Sequence, residues 1–152
     1  MLVATIPPLQ FTEHAQAEDT GQTFIRQDSF TWFDEDWTYA KKISIADNVE
    51  AYQTKIIMSK SDDASADVDC EGHCNDNFSD IRFACANGTL VPHWIEEKTD
   101  GDECTVWINN SYNASTLYMY YNNSGASPQS NGADTFIYFE DFSSDPGWGT
   151  GE

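Results

Sequence analysis

Basic residues are scarce in this chain, with seven Lys and Arg against 26 Asp and Glu in 152 residues, a formal charge of −19. A field of that sign repels phosphate backbones and anionic lipid and draws cations, which excludes nucleic acid and acidic membranes as partners. Long apolar runs are missing as well, since nothing approaches the ~20 residues of a membrane span. No window carries an apolar stripe at helical spacing, so the core has to come from strands. The lead Met1-Leu2-Val3-Ala4-Thr5-Ile6-Pro7-Pro8 has no basic region and too short an apolar run for a secretory leader. Either an export signal was removed upstream of this numbering, or the cytosol is the compartment and the cysteines do not report an oxidising one. Catalytic equipment is equally thin: His14, His73 and His93 have no Ser or Cys partner in a nucleophile motif.

What cysteine there is comes in an even number, at Cys70, Cys74, Cys85 and Cys104, alongside five sequons at Asn77, Asn87, Asn109, Asn113 and Asn122. Together these point to an extracellular or cell-surface glycoprotein with disulfides and N-linked glycans. Four cysteines allow three connectivities. Their placement favours Cys70 with Cys74, closing a small loop, and Cys85 with Cys104, joining two strands. Cys70, His73 and Cys74 would supply only three of the four ligands of a structural zinc site. The run between Ser61 and Asp80 holds no Lys or Arg, and its Asp62, Asp63, Asp67 and Asp69 are the hard oxygen ligands calcium takes. They lack the register of an EF-hand, so a solvated acidic loop is the simpler expectation. No cofactor is expected beyond that calcium.

Asn77–Glu97 organises the rest. Asp80–Cys85, an Asn87-Gly88 turn and Leu90–Glu96 read as one β-hairpin, the Asn-Gly pair suiting a type I′ turn. Trp37–Ile45 alternates, with Trp37, Tyr39, Ile43 and Ile45 on one face, and Tyr52–Met58 repeats the pattern. Cys104–Ile108, Ser115–Tyr121 and Thr135–Phe142 are further strands, and Thr23–Arg26 a short earlier one. Short strands separated by turn residues argue an all-β antiparallel sandwich. It occupies residues 31–152, behind an N-terminal arm of residues 1–30.

Six blocks stand in a fixed order: Trp37-x-Tyr39-x-Lys41-Lys42-Ile43-x-Ile45, Phe78-x-Asp80-Ile81-Arg82-Phe83, Pro92-His93-Trp94-Ile95-Glu96, Val106-Trp107-Ile108, Leu117-Tyr118-Met119-Tyr120-Tyr121-x-Asn123 and Phe139-Glu140-Asp141-Phe142. In their order and number they resemble an uncharacterised extracellular domain family of bacterial and archaeal surface proteins. The resemblance spans roughly residues 37–142 and implies a concanavalin-like jelly roll. It implies no activity and no catalytic residue, and the Glu-x-Asp-x-x-Glu strand of concanavalin-like glycosidases is absent. Glu96 and Asp141 are a conceivable carboxylate pair, but Glu96 reads more simply as the polar end of a strand, so no enzyme is expected. The chain departs from the family in Asn122, where Gly is usual, in the Asp-rich insert with Cys70 and Cys74, and in the arm.

Aromatics in alternating strands are mostly core, which leaves Trp32 and Trp148 as candidates for sugar contacts. The arm carries the sharper expectation. Leu2, Val3, Ala4, Thr5 and Ile6 form a short apolar strand ahead of Pro7-Pro8 and a polar tether. Five extended residues reach about 17 Å, enough to add one edge strand to a neighbour's sheet. Such head-to-tail addition does not close on itself and builds a filament. The alternative is that the arm folds back as the domain's own first strand. The expected function is therefore a structural subunit of a pilus-like extracellular filament whose partner is itself. A carbohydrate-binding or calcium-stabilised adhesion module is the alternative.

Overall fold

The structure, a computed structural model, describes the backbone of residues 17–25 and all atoms of residues 32–45 and 52–141. Among these are nine strands, β1 (Ala17–Ile25), β2 (Tyr39–Ile45), β3 (Gln53–Ser59), β4 (Val68–Asp69), β5 (Arg82–Ala84), β6 (Leu90–Val91), β7 (His93–Lys98), β8 (Glu103–Asn109) and β9 (Thr116–Tyr121), and a single helical turn, α1 (Gly132–Thr135). The fold is an all-β sandwich. One sheet runs β1-β2-β9-β5-β6 and the other β4-β3-β8-β7. All pairs are antiparallel except β3 with β4.

Period-two patterning builds the core. Thr54, Ile56 and Met58 of β3 stand opposite Ile108, Val106 and Cys104 of β8 and are buried with them. Residues directly opposite in an antiparallel pair share a face, so a register slip of one residue would turn the whole row to solvent. From the other sheet, Ile43 and Ile45 of β2 and Leu117, Met119 and Tyr121 of β9 meet them. Phe78, Ile81 and Phe83 complete the cluster, each buried side chain contributing about 1.5–3 kcal/mol.

The hairpin expected over Asp80–Glu96 is two structures. β5 turns back into β6, but β6 ends after Val91, and β7 pairs with β8 in the opposite sheet. Pro92 stands at the crossing. It has no N–H to give the ladder, while its carbonyl accepts from Asn109 N at 2.9 Å. The turn also differs from type I′, because Gly88 alone has positive φ, at 81°, and its N–H donates to Cys85 O. This is a type I turn followed by a left-handed glycine, the three-residue alternative for the same sequence signal.

Three further elements depart from the sequence reading. Ala17–Ile25, mostly assigned to a polar tether, pairs with β2 as an edge strand, so the sandwich reaches back into the stretch read as arm. The acidic loop contains β4. Thr135–Phe142 is not a strand: α1 ends at Thr135, and residues 136–141 run irregularly across the outer face of β7 and β8. There Phe136 and Phe139 meet Trp94 and Trp107 edge-on. Trp37 also changes face, packing with Ala40, Ala84 and Tyr120 in a small cluster on the outside of the five-stranded sheet.

Candidate functional site

The Phe78-x-Asp80-Ile81-Arg82-Phe83 block is densely bonded to the rest of the described structure. Its apolar members enter the core and its charged members face away from it. The Asp80 carboxylate is fully buried and accepts from three backbone N–H groups, Asn75 at 2.9 Å, Asn122 at 2.9 Å and Asn123 at 3.2 Å. Its own carbonyl accepts from the Trp37 indole. The Arg82 guanidinium donates to the carbonyls of Ser79, Ile81 and Ser127 and lies 4.9 Å from the centre of a Trp37 ring. One buried carboxylate thus holds two distant turns together. Every bond it makes is to the protein's own backbone, so its role is architectural.

The Asp-rich loop is similarly committed. Asp63 accepts from Ser65 N and Oγ, which holds its carboxyl below the usual range. Asp67 accepts from Ile57 N at 2.8 Å, and Asp69 from Glu71 N at 2.8 Å. Asp62 is exposed. Among the described residues no three His, Cys, Asp or Glu converge as metal ligands, so Asp62, Asp63, Asp67 and Asp69 are not brought together. Asp69 and Glu71 instead receive Lys41, 3 % exposed, whose Nζ lies 3.0 Å from one and 3.4 Å from the other. His73 stacks on Tyr39 with ring centres 4.4 Å apart. These contacts clasp the loop after β4 onto β2 of the other sheet. The Lys41 signal was hidden in the sequence, where a lysine on the apolar face of β2 looks like an interruption.

Cys70, Cys74 and Cys104 are buried in the same core cluster, and all four cysteines are thiols in the structure. A hydrogen bond with Cys74, then burial, pushes the Cys70 thiol well up, and burial takes Cys104 up to about 12. The expected Cys85–Cys104 link requires correction. Cys104 opens β8, whereas Cys85 lines a depression with Tyr112–Thr116, beyond the other end of that strand. The five-residue advance from Cys104 to Asn109 covers about 17 Å, against a Cα limit of ~7 Å for a disulfide. His73 is turned outward onto Tyr39, so Cys70, His73 and Cys74 do not form a zinc site.

The five sequons differ in what their side chains do. Asn77 and Asn87 are exposed, and their Oδ1 atoms accept from the N–H of Ser79 and Thr89 two residues on. Asn113 is exposed at a positive-φ position. By contrast, the Nδ2 that would carry a glycan donates to Asp134 O at 3.0 Å in Asn109 and to Thr38 Oγ1 in Asn122. Trp32, expected as a sugar contact, packs edge-on against Tyr120 at 5.3 Å and is half-buried. Glu96 accepts from Trp107 Nε1 at 2.8 Å. His93 is buried between Phe83 and Arg82, and burial first, then the guanidinium charge, lowers its imidazole to about 4. His14, Trp148 and the whole assembly segment Leu2, Val3, Ala4, Thr5 and Ile6 lie outside the described residues.

The sheet edges remain. β4 and β6 are two residues long. β7 is blunted, because Asn131 N and Ser130 Oγ occupy its edge at His93 and Ile95, a bulge follows, and Glu96, Glu97 and Lys98 line a cleft of about 310 Å³. Bulges and edge charges are the usual guards against strand addition. β1 is the long edge, nine residues that pair with β2 alone among the described residues, with a register shift between Asp19 and Thr23.

An all-β sandwich with a bonded hub at Asp80 defines the class. Within it, a family model described as a domain of unknown function (DUF2341) matches residues 77–150. The match begins at the turn leading into Asp80 and takes in β5 to β9, while the Trp37–Ile45 block precedes it. No curated protein and no solved structure matches the chain.

Proposed function

We propose that this chain is a structural subunit of an extracellular filament, joined head to tail when Leu2–Ile6 of one copy adds to the edge of a neighbour's sheet. The supporting observation is β1: a nine-residue edge strand that pairs with β2 alone among the described residues and lies downstream of the Leu2–Ile6 segment. A tether of ten residues, 7–16, reaches at most about 35 Å, enough to hand the segment to an adjacent copy. The concanavalin-like jelly roll, the bacterial or archaeal surface setting and the N-linked glycans belong to the same reading. Electron microscopy and light scattering of the chain over a range of concentrations test it. The full chain should form concentration-dependent fibres, and deletion of residues 1–10 should give a monomer that captures a synthetic Leu2–Pro8 peptide. A full chain that stays monomeric at every concentration sinks the reading.

The alternative is a surface adhesion module that binds carbohydrate. Exposed Tyr52 and Tyr112 favour it, since rings open to solvent are available to stack on sugars. Glycan binding that survives deletion of the arm and fails in Tyr112→Ala would select it.

A further inference from the structure

Three thiols gather at one end of the sandwich and the fourth sits at the other. Cys70 continues β4, with its N–H donating to Ser59 O at 3.0 Å. A tight turn follows, in which Glu71 and Gly72 both take positive φ, 51° and 82°, and His73 N donates back to Cys70 O at 2.8 Å. That turn returns the chain so that Cys74 comes inward beside Cys70, both buried in the same core cluster. Cys104 faces the same cluster from β8, opposite Met58.

We infer that Cys70 and Cys74 form a disulfide site, that Cys104 remains a thiol beside it, and that the bond fastens the clasp made by Glu71 and His73 on β2. The residues between the two sulfurs carry both clasp contacts, Glu71 to Lys41 and His73 to Tyr39. Cross-linking the ends of that segment limits how far either contact can stray when the loop opens. The oxidant is a small disulfide of the glutathione class. One cysteine thiolate attacks a donor sulfur, giving a mixed disulfide and releasing one donor thiol. The second cysteine thiolate then attacks the protein-side sulfur and expels the other donor thiol. Two protein S–H bonds and the donor S–S bond are lost. One protein S–S bond and two donor S–H bonds form. Both sulfurs are buried, so exchange takes place as the loop folds or opens. The inference does not depend on filament assembly.

The test is to refold the reduced full chain in a buffer of reduced and oxidised glutathione, quench with acid, alkylate, and map the cysteines by mass spectrometry. The expected result is a link between Cys70 and Cys74 within one peptide, with Cys85 and Cys104 open to alkylation or glutathionylation. Cys104→Ala should keep the link. Closing so short a loop should favour the folded state about thirty-fold over the reduced protein, a gain that Cys70→Ser with Cys74→Ser abolishes. A dominant bond from Cys104 or Cys85 to any other cysteine overturns the inference. So does retention of all four thiols in the oxidising buffer, or equal stability of the oxidised and reduced forms.

Discussion

Replacing Asp80 tests whether the most conspicuous charged block of the sequence is architecture. Asp80→Ala removes the acceptor of three backbone N–H groups, those of Asn75, Asn122 and Asn123. An unsatisfied buried donor costs about 1–3 kcal/mol. The Asn75 and Asn122 neighbourhoods are partly open, so water takes up some of the loss, and about 3–5 kcal/mol is expected. That is a large part of the ~5–15 kcal/mol that holds a domain folded. Asp80→Asn keeps one acceptor oxygen but turns an amide toward donors, and should lose about half as much. Urea unfolding followed by tryptophan fluorescence is the assay, since Trp37 donates to the Asp80 carbonyl and reports the hub directly. Asp76, whose ion pair with Lys60 is at the surface, serves as the control, and Asp76→Ala should cost under about 1 kcal/mol. If Asp80→Ala and Asp76→Ala cost the same, the hub reading is wrong.

His93 makes stability depend on acid. Its imidazole sits at about 4 in the fold against 6.5 in the open chain, so between these values the unfolded state binds a proton the folded state refuses. Its contribution is complete above pH 6.5 and falls as the pH drops toward 4, by about 3 kcal/mol in all. The difference in unfolding free energy between wild type and His93→Leu should trace that slope, and a flat difference refutes it. A Cβ at Gly132 would stand 2.1 Å from the Phe139 ring. Gly132→Ala should therefore cost about 1–3 kcal/mol and raise proteolysis of residues 132–141, whereas Ala133→Gly should leave that segment docked. Expressed in a glycosylating secretory host, the chain should carry glycans at Asn77 and Asn87 and leave Asn109 and Asn122 bare. Glycopeptide mapping decides this, and occupancy at Asn109 or Asn122 counts against the structure's hydrogen bonds.

Strand existence was legible wherever one face is apolar, as in β2, β3, β8 and β9. The places that escaped were those where a single residue redirects the chain. Pro92 sits inside an otherwise continuous β pattern, and nothing in periodicity says that the strand changes sheets there. Phe136, Ile137, Tyr138 and Phe139 have strand-like composition, yet Phe136 and Phe139 pack on tryptophans and Ile137 is 95 % exposed, a pattern neither helix nor strand predicts. β1 was obscured by polar residues, because an edge strand paired on one side needs little apolar surface. The acids of the 61–80 loop suggested cations through their charge alone. Their use as acceptors for backbone N–H groups depends on the turns they cap, and those turns are set by contacts far away in sequence. The Cys85–Cys104 link failed for the same reason, as the direction of β8 relative to the turn after β5 cannot be read from spacing.

The position of β9 governs how this molecule comes into being. It lies between β2 and β5 in the five-stranded sheet, so two partners synthesised dozens of residues earlier wait for it. Until Thr116–Tyr121 leaves the ribosome, β2 and β5 have no common neighbour and the nascent chain carries exposed ladders on both. Such pairing across long sequence separations is slow, and waiting edges invite association between copies. A formal charge of −19 opposes such association where copies come within a Debye length, ~8 Å at physiological salt, of one another.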